Sequence, residues 1–136
     1  MDFTFSEDQL LFCKSVQDFL QQEVTPAAVR KSWELETGRS DELWQQLVNL
    51  GVTAMLVPEQ FGGLGMNELD FVLLAQACGQ VALPEPLVET ALVATPLLAT
   101  LAQRDARCGS LLEKIATGER KIAVCHAANN LVCDAH

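Results

Sequence analysis

The 136-residue sequence predicts an all-α fold, an up-and-down or orthogonal bundle of about six helices, with the start of a β domain at its C-terminal end. Apolar residues recur with helical spacing along most of the chain, as in Phe12, Val16, Phe19 and Leu20. Capping residues and Gly or Pro breakers divide the chain into helix-sized pieces. Tyrosine is absent, with only 6 Phe and 2 Trp, so the core is built mostly of Leu, Val and Ala. Those residues suit packed helices better than an aromatic-rich sheet.

Ser6-Glu7-Asp8-Gln9 reads as a capping box opening a helix that ends near Val24. Pro26 is placed to start a second helix, through Val29 and Trp33 towards Glu36, with Gly38 as its breaker. Ser40-Asp41-Glu42 starts a third, striped by Leu43, Trp44, Leu47, Val48 and Leu50, and Gly51 suits its left-handed C-terminal position. Val52 to Val57 is too short for a helix and reads as extended and buried. Gly62-Gly63-Leu64-Gly65 is a structural turn: it lacks the preceding strand and following Lys of a phosphate-binding loop. Asn67 caps a helix running to Val81. The next, from about Leu87 to Ala102, is apolar nearly all round, which predicts a central helix enclosed by others and kinked at Pro96. A last helix spans about Ser110 to Ala116 before Gly118. Lys121 to Cys125 then has strand character, which puts a boundary near residue 119.

The balance of 18 acidic against 9 basic residues gives a formal charge of −9, and no Lys or Arg lies between Arg39 and Arg104. Nucleic acid needs clustered cations, so neither it nor an anionic membrane surface is an expected partner. The most apolar stretch, Thr90 to Gln103, is uncharged but interrupted by Pro96, and it falls short of the ~20 residues of a membrane span. Five scattered cysteines form no disulfide framework, and Met1 to Thr4 lacks the features of a signal peptide. A reducing, cytoplasmic setting is expected.

The order Phe5-Ser6-Glu7-Asp8-Gln9, Pro26, Leu43-Trp44-Gln45-Gln46-Leu47, Leu50-Gly51-Val52 and Val57-Pro58-Glu59-Gln60-Phe61-Gly62-Gly63-Leu64-Gly65 resembles acyl-CoA dehydrogenases. Leu112 to Glu119, followed by Ile122-Ala123-Val124, is similar to that family's passage from helical domain to sheet domain. The resemblance implies that residues 1–119 are the N-terminal helical domain and 120–136 the truncated start of the middle β domain. It implies α,β-dehydrogenation of an acyl-CoA thioester, with FAD accepting the hydride and an electron-transferring flavoprotein taking the electrons. The catalytic glutamate belongs to a C-terminal four-helix domain, so no residue here is a catalytic candidate.

By resemblance, Leu87, Val88 and Ala91 line the acyl end of the substrate pocket, and Ile122, Val124 and Cys125 lie at the cofactor. The family usually has a Thr-Glu-Pro and a Gly-Ser-Asp in the following flavin loop. Here that stretch reads Val124-Cys125-His126-Ala127-Ala128-Asn129-Asn130, without the hydroxyl and the glycine approach. The expectation is FAD in a full-length family member, none bound by this stretch alone, and no turnover by the isolated chain. Leu83-Pro84-Glu85-Pro86-Leu87-Val88-Glu89-Thr90 resembles bacterial members, often steroid-side-chain-degrading, of a homo- or hetero-oligomeric type.

Bland readings stand beside these. Leu87, Val88 and Ala91 also fit an ordinary core. Glu85 and Glu89, one helical turn apart, fit acids placed at a helix N-terminus rather than a catalytic pair. Cys125, His126, Cys133 and His136 match no familiar zinc spacing, and no metal is expected. Asp134 and His136 with a serine make no positioned triad. The rival from another class is a non-catalytic helical interaction module or a degenerate partner subunit, with a metal-binding helical protein a weaker third.

Overall fold

The computed structural model describes residues 5–125. Its helices are α1 (Glu7–Glu23), α2 (Pro26–Ser32), α3 (Asp41–Asn49), α4 (Glu68–Gln80), α5 (Thr95–Leu101) and α6 (Ala106–Ala116). A single 3-10 turn, Glu59–Phe61, sits in the glycine loop, and a π-helical segment, Val88–Ala94, leads directly into α5. The all-α expectation holds, with no strand among the described residues. Lys121 to Cys125, expected to be strand-like, has no regular structure there.

The helix starts follow the capping chemistry of the sequence. Ser6 Oγ accepts from the Gln9 amide at 3.2 Å while Gln9 Oε1 accepts from the Ser6 N–H at 2.6 Å. Asn67 and Asp70 form the same reciprocal box on α4. The Gln9 side-chain amide also donates to Asp70 Oδ1, so the two boxes are joined. Gln17 donates to Gln80 at 3.2 Å further along. These two links show α1 and α4 running parallel, with their positive dipole ends together. Glu7, Asp8, Glu68 and Asp70 in the first turns offset that repulsion.

The main core joins α1, α3 and α4 through Val16, Leu20, Trp44, Leu47, Phe71 and Leu74. Burying each such Leu or Phe contributes roughly 1.5–3 kcal/mol. A smaller core gathers Val57, Leu112 and Ile115, with Phe61 and Leu98 against it. Val52 to Val57 is buried as expected, except for the half-buried Ala54, but it is not extended. Ala54 N–H bonds Gly51 O and Val57 N–H bonds Ala54 O, so the run coils into successive turns. The glycine loop folds back on it through Leu64 N–H to Ala54 O, Gly65 N–H to Val57 O and Met66 N–H to Met55 O. Gly63 is required by that approach, since an added Cβ would lie 2.0 Å from Val57 O.

Three other expectations are corrected. Helix α2 stops at Ser32, after which i to i+3 bonds carry the chain past a 72% exposed Trp33 to Gly38. Helix α6 starts at Ala106, four residues early, because Asp105 caps it by accepting the Arg107 N–H at 2.9 Å. The Arg107 guanidinium bonded to that carboxylate holds Asp105 below the usual carboxylate range. Gly109 lets α6 pass under the Phe61 ring, 2.8 Å from where a Cβ would stand.

The third correction concerns the central helix. Pro96 lacks an N–H and its ring crowds the carbonyl four residues earlier, and the preceding turns widen into the π form. The Thr95 N–H and hydroxyl both go to Thr90 O, the hydroxyl at 2.9 Å. The helix is not enclosed on all sides. Val93, Leu97 and Leu101, spaced by four, are 50%, 46% and 41% exposed and form an open apolar stripe.

Gln9→Ala removes half of one capping box and the bridge to the other, and is expected to lower unfolding free energy by about 1–2 kcal/mol in denaturant titration. Thr53 is fully buried and its hydroxyl is unpartnered among the described residues. Thr53→Val is therefore expected to leave stability unchanged or raise it, again by denaturant titration. Burial pushes the Cys78 thiol up to about 11, whereas Cys125 is exposed. Near neutral pH, iodoacetamide should modify Cys125 while Cys78 stays unmodified until the protein unfolds, as read by peptide mass mapping.

Candidate functional site

Leu87 and Ala91 have no exposed surface and belong to the main core, packed with residues of α1, α3 and α4. Val88 is half-buried and borders a cavity of about 270 Å³ shared with Arg39, Cys78 and Glu89. Of the three wall candidates, only Val88 has surface to offer a ligand in this structure. Two larger cavities, of about 450 and 490 Å³, open around α2, beside Val29 and Leu43 and beside Trp33 and Val81 respectively. Neither is lined by a residue expected from the sequence to contact substrate or cofactor.

Ile122 lies against the same helical segment. Its N–H donates to Thr90 Oγ1 at 3.1 Å, and the Thr90 hydroxyl donates to Ile122 O at 3.0 Å. That reciprocal pair imitates one rung of a strand ladder, with a side chain standing in for the second strand. The cofactor candidate and the wall candidates thus meet at Thr90, one residue before Ala91. Val124 and Cys125 are exposed. For FAD, both backbone groups of Ile122 are committed to Thr90, and Val124 and Cys125 offer an apolar branch and a thiol. These three residues do not by themselves make a flavin site.

Sequence reasoning missed the most densely bonded group of the region. The Glu85 side chain has no exposed surface. Its Oε1 accepts from the Ser40 N–H at 2.7 Å and its Oε2 pairs with Lys121 Nζ at 3.0 Å. Lys121 Nζ also lies 5.0 Å from the centroid of the Trp44 ring, and Trp44 Nε1 donates to Gly118 O at 2.8 Å. The expectation that Glu85 and Glu89 both serve a helix N-terminus holds for Glu89, in the first turn of the π-helical segment, and is corrected for Glu85. Glu89 is exposed, and Glu85 ties α3 to the segment after α6. The available signal was an acid flanked by two prolines in a stretch without cations, which reveals no partner 36 residues away.

Among the described residues no cluster of His, Cys, Asp or Glu could hold a metal, and no helix is long and apolar enough to cross a membrane. His126, Cys133, Asp134 and His136, weighed above for zinc or a triad, lie outside the described residues.

Comparison with known proteins bears on this arrangement. The family described as "Acyl-CoA dehydrogenase, N-terminal domain" matches residues 6–119. The acyl-CoA dehydrogenase IpdE2 of Mycolicibacterium smegmatis is 33% identical over 94 residues, which are 68% of this chain and 30% of that protein. Mitochondrial isovaleryl-CoA dehydrogenase of Pongo abelii is 37% identical over 82 residues, 57% of this chain and 19% of that protein. In the crystal structure of the ChsE4-ChsE5 complex from Mycobacterium tuberculosis, one chain superposes with a TM-score of 0.73 at 26% identity, over 90% of this chain and 34% of that one. The chain thus spans no more than about a third of the relatives it matches. By sequence and by fold, it belongs to the acyl-CoA dehydrogenase family, as that family's N-terminal helical domain.

Proposed function

We propose that this domain serves a protein that carries out FAD-dependent α,β-dehydrogenation of an acyl-CoA thioester, and that it walls the acyl end of the substrate pocket. The observation that carries this is the family match over residues 6–119, combined with the placement of Val88 at the surface of the segment leading into α5. Val88 supplies the apolar contact, and Leu87 and Ala91 hold it from behind as core. The walls are apolar and provide no polar recognition of the acyl chain. The chemistry that the group supplies when bound, acceptance of the hydride by FAD, belongs to the full-length protein. This stretch alone is read as binding no flavin and turning over no substrate.

Residues 120–136 are read as the start of the middle β domain. The protein is read as cytoplasmic, with an electron-transferring flavoprotein as acceptor. The resemblance to bacterial members extends this to lipid or steroid catabolism. A homo- or hetero-oligomer is favoured, the second form by the likeness to a chain of the ChsE4-ChsE5 complex. A non-catalytic role as degenerate partner subunit is the second reading, favoured by Cys125 where the family places a hydroxyl.

A domain exchange tests the catalytic reading: residues 1–119 replace the matching N-terminal domain of the M. smegmatis relative. The chimera is expected to retain flavin and to bleach with acyl-CoA. Val88→Asp in the chimera should cut acyl-CoA-dependent bleaching by at least about tenfold, at a cost set by burying a charge, with flavin content unchanged. A chimera that folds without flavin, or a Val88→Asp variant that bleaches normally, overturns the reading. So does flavin bleaching by the present chain alone with acyl-CoAs of several lengths.

A further inference from the structure

A carboxylate with no exposed surface needs partners that replace its water. Glu85 has two: the Ser40 N–H at the start of α3, and Lys121, whose stem is mostly covered. Asp41 also lies 3.4 Å from Lys121 Nζ, but it is fully exposed and contributes little. The residues around the pair fasten the same stretch of chain: Gly118 O to the Trp44 indole, and both backbone groups of Ile122 to the Thr90 hydroxyl. Apolar contact alone does not explain this attachment. Of residues 119–125 only Ile122 packs against a core, and Ala123, Val124 and Cys125 are exposed.

We propose that Lys121 and Glu85 form a local electrostatic latch that seats residues 118–122 on the helical body and so fixes where Ala123 to Cys125 are presented. The latch holds a strap and is not part of the global core. Its closure depends on the ammonium charge more than on the length of the side chain. The ammonium lies over the Trp44 ring, and its charge is what leaves Glu85 compensated. Once the charge is removed, the carboxylate regains solvation by letting the strap lift. The Ile122 amide then loses its Thr90 acceptor. The inference stands apart from any role in flavin or substrate binding, and its test needs neither.

Hydrogen exchange of the intact chain reads the latch at Ile122, with the Leu74 amide in α4 as the global reference. Lys121→Met keeps an apolar stem and removes the charge. It is expected to speed Ile122 exchange by at least about tenfold while Leu74 changes less than about threefold, the pattern of a local rather than global opening. Lys121→Arg, which restores the charge and the stacking on Trp44, should stay within about threefold of the parent at both sites. Asp41→Asn should do the same. Unchanged Ile122 exchange in Lys121→Met overturns the proposal. So does equal acceleration at Ile122 and Leu74, or a Lys121→Met chain that fails to fold, because the pair would then be part of the global core.

Discussion

The removal of one carboxylate from water organises the fold beyond its central helices. Glu85 has no exposed surface, and an unpaired charge in such a place costs several kcal/mol. Two distant parts of the chain must therefore come to it. Ser40 offers the N–H that its own helix cannot use, because the first amides of a helix have no partner within it. Lys121 brings the chain that follows α6 back across α3, with its ammonium over Trp44. That requirement ties the start of α3 and the path of residues 118–122 to one buried group.

Much of the fold was legible because its signals are local. The capping box at Ser6 and the cap at Asn67 need only a few residues each, and both formed, the second as a full box with Asp70. The left-handed turn at Gly51 was equally plain, with φ of 77°. The features that escaped depend on partners far along the chain or on competition between neighbours. Glu85 looked like a helix-terminal acid because nothing nearby marks Lys121. Asp105 was obscured as a cap by the Gly109 that follows, since glycine inside a helix makes sense only when Phe61 is known to cover it. Val52 to Val57 had the composition of a strand but no neighbour to pair with, so its amides closed turns instead.

The candidate site was legible only in part, for a related reason. Periodicity marked Leu87, Val88 and Ala91 as apolar, but it could not say which of them face inward. In the structure Leu87 and Ala91 are buried in the core and Val88 is left half-exposed. Pro96 is visible in the sequence, whereas the way the helix accommodates it depends on the Thr95 and Thr90 bonds. The same segment carries Val93, Leu97 and Leu101 outward, so an apolar helix read as fully enclosed has one uncovered side.

The pairing of α1 with α4 has a consequence for the order in which the molecule assembles. Gln9 and its acceptor Asp70 are 61 residues apart, and Gln17 and Gln80 are 63 apart. During synthesis the first helix emerges long before its neighbour exists, with Phe12, Val16, Phe19 and Leu20 facing water. Contacts of such separation close late, after shorter loops such as the one linking α5 to α6. Helix α1 is thus made well before the helix it pairs with, and for that interval it depends on its own cap and on whatever in the cell shields nascent apolar surface.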